Sequence, residues 1–306
     1  MNGKKRNMFW IFVALAYLIT WVPWIPLEQY AAQRGYILPN PQTLPALLEN
    51  GLQDSTHLTL VLLSFAMIVL SGPLIAAVIA FALESGRKGV YELWKTSTHW
   101  RIGGRWYGIM LAITLLINLP AFIVGLIQGP LPTASQVWTI LIWFAPVFIY
   151  TFFASGLEEP AWRGYALPNL QTRYSAKKAS VILGIIWGIW HWPVFIPLYT
   201  SALNSPGGVP QALITVLIQL ALYIISSMIS GALIYTWLYN RTGSVFLCIL
   251  FHTLHNNLLT YVAMLFPSTT QIIPLLGTIA QWIVAIVLMR FFWTEATLEK
   301  TAEGKS

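Results

Sequence analysis

Eight long apolar runs alternate with shorter, more polar connections along the chain, at residues 8–26, 58–83, 106–128, 137–157, 179–199, 211–236, 244–266 and 272–293. Each is long enough to cross about 30 Å of hydrocarbon, which takes roughly 20 residues of α-helix. None shows the strict apolar–polar alternation of a barrel strand. In lipid the backbone must satisfy its own hydrogen bonds, so helices are the spanning structure left. The pattern predicts an all-α, polytopic membrane helical bundle of about eight transmembrane helices, folded as a single membrane domain over 1–306.

Composition narrows this further. Apolar residues make up 57% of the chain and charged residues 9%, against about 25% charged in a soluble domain, and mean hydropathy is +0.67. A water-soluble globule is excluded. The lone cysteine, Cys248, lies inside an apolar run, which argues for a packing role and against disulfides or a Cys-based metal cluster. A net charge of +7 raises the question of nucleic acid, and the placement of the charges answers it. With the basic N-terminus inside, 16 of the 17 Lys and Arg fall on the cytoplasmic side and only Arg34 outside. The surplus is a topology signal: both termini are expected in the cytoplasm, with anionic lipid rather than nucleic acid as partner. The first run follows Lys4, Lys5 and Arg6 but lacks a small-residue cleavage site, and so reads as a retained helix. The proline-containing outer segment 27–57 is expected to lie over the bundle, and the inner segment 84–105, with Trp94 and Trp100 among basic residues, at the interface.

Polar residues inside spans are costly and therefore informative. The first group, Glu158-Glu159-Pro160-Ala161-Trp162-Arg163-Gly164-Tyr165, sits at the cytoplasmic end of the fourth run. Glu159 and Arg163 are four apart and share a helical face, which suits a structural ion pair. Glu158 points about 100° away and is left without that partner. In the fifth run lies Trp187-Gly188-Ile189-Trp190-His191-Trp192-Pro193. Gly184 and Gly188 form a small-xxx-small stripe, which marks close helix packing and leaves a dimer face open. The seventh run holds His252, His255 and Asn256, with His252 and Asn256 on one face.

A carboxylate, imidazoles and a carboxamide from three spans are the parts needed to hydrolyse an amide. Glu158 can serve as general base on water that His191 orients, and His252 and Asn256 as donors to the oxyanion. The same groups suit a metal site in which Glu158, His191 and His252 are ligands. Residue types alone leave both schemes open.

In order, Glu158-Glu159-x-x-x-Arg163-Gly164-Tyr165-x-Leu167-Pro168, Trp187-x-x-x-His191 and His252-x-x-x-Asn256 resemble the three motifs of the CPBP family. It comprises type II CAAX prenyl endopeptidases and bacteriocin-processing or self-immunity proteins, and is also called the ABI family. The resemblance covers roughly 137–266, the expected catalytic core. It implies an intramembrane endopeptidase in the cell membrane, with a cavity open to the cytoplasm and a membrane-associated or prenylated peptide as substrate. By position Glu158, His191, His252 and Asn256 match the catalytic residues, and Glu159 and Arg163 the rest of the first motif. Members have been described as glutamate-type proteases without cofactor and as Zn2+ metalloproteases. Two departures stand out: Trp187 where Phe is commoner, a conservative exchange, and Pro160 directly after the glutamates.

Depth sets a further expectation. At 1.5 Å per residue His191 lies about 18 Å and His252 about 12 Å from the cytoplasmic ends of their runs, whereas Glu158 sits at that end itself. For the three to meet, the fourth helix must start later or tilt, as at Pro146, and continue through Arg163. Two other classes stay open: a non-catalytic immunity or scaffold protein, which would tolerate Glu158→Gln in function, and an ion or proton-coupled transporter, which the lack of internal repeats disfavours. The C-terminal Ala302–Ser306 carries no CAAX cysteine, so self-lipidation there is not expected.

Overall fold

The computed structural model describes residues 3–41, 43–69, 71–267 and 272–293. Residues 294–306, with Lys300, Lys305 and the cysteine-free tail, lie outside them. Among the described residues the chain is helical throughout: α1 Gly3–Arg34, α2 Leu44–Asn50, α3 Ser55–Val69, α4 Gly72–Ser97, α5 Gly104–Gln128, α6 Ala134–Ala154, α7 Leu167–Gln171, α8 Ala176–Trp190, α9 Ile196–Leu203, α10 Gly208–Tyr223, α11 Ile229–Thr242, α12 Val245–Leu265 and α13 Ile273–Val287. Short irregular turns link several of them: 3-10 turns at Gly156–Glu158 and Trp192–Phe195, and π-helical turns at Pro160–Ala166, Ile224–Met228 and Leu288–Phe292.

Seven helical stretches are long and apolar enough to cross a membrane, and an eighth forms if α8 and the segment Trp192–Leu203, bent by 50°, count as one broken span. Each overlaps one of the eight runs, so the protein is an all-α, multi-pass membrane protein. Several are longer than the apolar runs. α1 carries on to Arg34, and the fourth stretch runs without a gap from Ala134 to Gln171.

Local chemistry sets the ends nearest the site. Thr133 and Gln136 form a reciprocal capping box at the start of α6, Ser175 accepts from the Lys178 amide at the start of α8, and Ser244 from Leu247 at the start of α12. These groups satisfy N–H donors that have no partner inside a helix. Gly243, at φ +63°, closes α11 in a left-handed turn that a side chain rarely tolerates, and sends the chain directly into α12.

The outer segment lies over the bundle as expected: Tyr150 donates to the Pro39 carbonyl at 2.6 Å, and Leu44 packs with Val147, Tyr150 and Tyr261. On the opposite side α4 bends at Gly86, φ +60°. Beyond the bend Trp94 is 67% exposed, as an interfacial ring would be, while Leu93 is buried against Gly164, where an added Cβ would come within 2.6 Å of it. The small-residue stripe has a different fate from the open dimer face. A Cβ on Gly184 would lie 2.8 Å from Ile229 Cα, and one on Gly188 2.4 Å from Ile224 Cγ1. The stripe is consumed inside the chain, where it lets α8 approach the π-turn before α11.

Candidate functional site

The fourth stretch solves the depth problem by its winding. It begins at Ala134, no later than expected, and after Ala154 tightens into the 3-10 turn that carries Glu158. It then widens into the π-turn that carries Arg163. Pro160 opens that π-turn, a first-turn position where its missing N–H costs nothing. Because helix continues to Gln171, Glu158 is not at the cytoplasmic end of its span. Thirteen residues separate it from Gln171, roughly 20 Å of α-helix, so it lies inside the bundle at a depth comparable to His191.

Both carboxylates are buried, Glu158 at 6% exposure and Glu159 at 0%, and a buried charge demands partners. Glu159 has two. Arg163 NH1 lies 2.9 Å from its Oε2 and 3.1 Å from its Oε1, and His252 Nδ1 donates to Oε1 at 2.8 Å. The ion pair expected from spacing is therefore present, with a histidine added from α12. Arg163 is itself fully buried, its guanidinium lying 4.3 Å from the centre of the Trp187 ring and 4.1 Å from that of Tyr235. Two π faces thus replace water around the cation.

Glu158 is held differently. The Trp187 indole N–H donates to its Oε2 at 2.7 Å, a charge-assisted bond of the stronger kind. His191, at the break between α8 and the following 3-10 turn, donates from Nδ1 to the Trp187 carbonyl at 2.8 Å. That bond occupies a carbonyl left without a helical partner by the break and leaves Nε2 as the free ring nitrogen. The His191 ring packs edge-on against Trp190 and Tyr223, and His252 edge-on against Trp187 and Tyr235. Asn256 Nδ2 donates to Ser155 Oγ at 3.0 Å, one turn before Glu158.

The four residues expected to share a site are brought together around Trp187, with Asn256 at the edge through Ser155. Pairings differ from the simplest expectation, since His252 binds Glu159 rather than facing Glu158 alone. Trp187 is no conservative stand-in for Phe, because its N–H makes a bond that Phe lacks. Spacing also could not find Tyr235, Tyr223 or Ser155: they lie on other elements, and only tertiary packing brings them here. His255 stacks on Phe251 outside this cluster.

A cavity of about 250 Å³ lined by Ile25, Gln29, Trp192, Ile196, Tyr199 and Leu213 begins one residue beyond His191, and none of the four expected residues lines it. The donor set for Zn2+ does not fit. Nδ1 of His252 is committed to Glu159, and among the described residues no three His, Cys, Asp or Glu side chains are placed to share one ion.

Fold and site together define a class: a multi-pass helical membrane protein that gathers acid, imidazole and amide side chains from separate spans at one buried point. Residues 137–258, which contain all of them, match the family model described as type II CAAX prenyl endopeptidase Rce1-like. Over 115 residues the chain is 36% identical to CAAX prenyl protease 2 of Methanococcus maripaludis, covering 37% of this chain and 39% of that protein. Through this segment the chain belongs to the CPBP family. It spans about two fifths of the curated relative's length.

Proposed function

We propose that the protein is an intramembrane endopeptidase of the glutamate type that cleaves membrane-associated peptides, with prenylated C-terminal peptides as the first class to test. One observation carries the reading: two adjacent buried carboxylates in one helical segment have opposite surroundings. Glu159 is neutralised by Arg163 and bonded to His252, whereas the one bond printed on Glu158 comes from a neutral indole. A carboxylate that is buried, ionisable and not neutralised by a neighbouring cation is poised to take a proton. The name of the Methanococcus relative, which matches over this segment, supports a CAAX substrate.

In this mechanism Glu158 Oε1 accepts a proton from water while His191 Nε2 accepts the water's second hydrogen and orients it. The water oxygen attacks the scissile carbonyl carbon, and the resulting oxyanion takes hydrogen bonds from His252 Nε2 and Asn256 Nδ2. His252 donates through both ring nitrogens only as imidazolium. Two carboxylates, Arg163 and that imidazolium then sum to zero charge, as a buried cluster favours. The C–N bond breaks as Glu158 returns its proton to the leaving amine. The catalytic core is residues 137–266, and the site faces the cytoplasm by the distribution of Lys and Arg.

The test is Glu158→Gln at equal expression. Purified wild type should release the C-terminal tripeptide from a farnesylated, quenched fluorogenic CAAX peptide, and the variant should lose at least about a thousandfold, the scale of losing a general base. In cells, new protein termini should appear only with wild type. Equal cleavage by wild type and variant would reject Glu158 as the base. A folded wild type without cleavage of this or any membrane peptide would favour the scaffold reading.

A further inference from the structure

We infer that Trp187 is a positioning residue, whose indole N–H pins one oxygen of Glu158 so that the other faces the attacking water. The inference rests on the endopeptidase reading for its kinetic consequence, but the bond itself is independent of it. In the family motif this position is commonly Phe, which fills the same space without a donor.

Three observations converge. The Nε1–Oε2 distance is 2.7 Å, between two groups that are 2% and 6% exposed, so water does not compete for either. The indole cannot slide away. Its ring is fixed against the Arg163 guanidinium at 4.3 Å, and against His252 at 5.5 Å, His191 at 5.7 Å and Tyr235 at 5.8 Å. Its backbone carbonyl holds His191 Nδ1. One residue thus sets the carboxylate through its ring nitrogen and the second-motif histidine through its carbonyl, tying both water-handling groups to a single rigid point. A Glu side chain has three rotatable bonds, and fixing its far end is what near-attack geometry requires.

Trp187→Phe keeps the ring against Arg163, His252 and Tyr235 and removes only the donor. On the farnesylated CAAX peptide it is expected to lower kcat ten- to a hundredfold with KM unchanged, the loss of one hydrogen bond to a charged group. Since a partly misfolded preparation would also lower apparent kcat, two controls separate the causes. Active fraction is titrated with a tight active-site inhibitor, and Trp187 is replaced by benzothienylalanine, which keeps indole shape with sulfur in place of N–H. That replacement should lose as much as Phe.

The bond is read without activity from the indole 15N–1H resonance that vanishes in Trp187→Phe: Glu158→Ala should move it, while Glu92→Ala, remote on exposed α4, should not. A resonance indifferent to Glu158→Ala, or full kcat in the benzothienylalanine protein, overturns the inference. If the resonance moves but wild type cleaves nothing, the bond stands, the inferred catalytic positioning fails, and the endopeptidase reading falls with it.

Discussion

At the residue scale the two glutamates differ in what their removal does. Arg163→Ala leaves Glu159 as a buried anion with only His252 beside it, and should cost about 3–5 kcal/mol of stability, read as a lowered unfolding midpoint in detergent. Glu158→Gln should leave that midpoint near wild type, because the amide still accepts from Trp187. Asn256→Ala should lower kcat by about a hundredfold or more, while Ser155→Ala, which frees the amide without deleting it, should cost less. The ion pair was legible from four-residue spacing. The indole bond was not: a motif records that an aromatic ring belongs at 187, and the direction of one N–H follows only from where α8 meets the 3-10 turn.

Among the elements, α8 depends on contacts too close for side chains. A Cβ on Gly184 meets backbone atoms of Ile229 and Met228 at 2.8–3.1 Å, which cannot turn aside. Gly184→Ala should therefore destabilise the protein by about 1–3 kcal/mol and, by lifting Trp187 from Tyr235, reduce cleavage as well. In the outer segment Asp54 accepts from the Tyr36 hydroxyl at 2.6 Å and from the His57 amide at 2.8 Å, at the start of α3. The Tyr36 hydrogen bond, then that of the His57 amide, holds the Asp54 carboxyl below its usual value. A lowered native pKa stabilises above the ordinary carboxylate range, and this contribution fades as pH falls through the lowered value. The His57 amide resonance should follow that titration, and in Asp54→Asn the titration should be absent. Helix existence was readable from hydropathy in each span. The turn types were not, because 3-10 and π windings at 156–166 are chosen by what packs around them rather than by propensity.

For the whole molecule, the charge count predicts orientation, which labelling can check. With Cys248→Ala as background, Gln53→Cys should react with a membrane-impermeant maleimide in intact cells, and Lys177→Cys only after permeabilisation. The reverse pattern would invert the topology. Eight spans and the meeting of three motifs follow from the sequence, since apolar length and buried polarity are strong signals in lipid. Relative depth did not follow, because it required the fourth helix to run past its apolar run to Gln171. The π-turns at Pro160–Ala166 and Ile224–Met228 carry a last consequence. A wider winding holds one residue more than the α-helix it interrupts, so each turn resets the rotational phase of everything after it. Removing one residue from 224–228 would restore regular winding and swing α11 by about 100°, carrying Tyr235 away from Arg163. In this bundle the length of a span is free to vary at its ends, but near the site the residue count is itself part of the catalytic geometry.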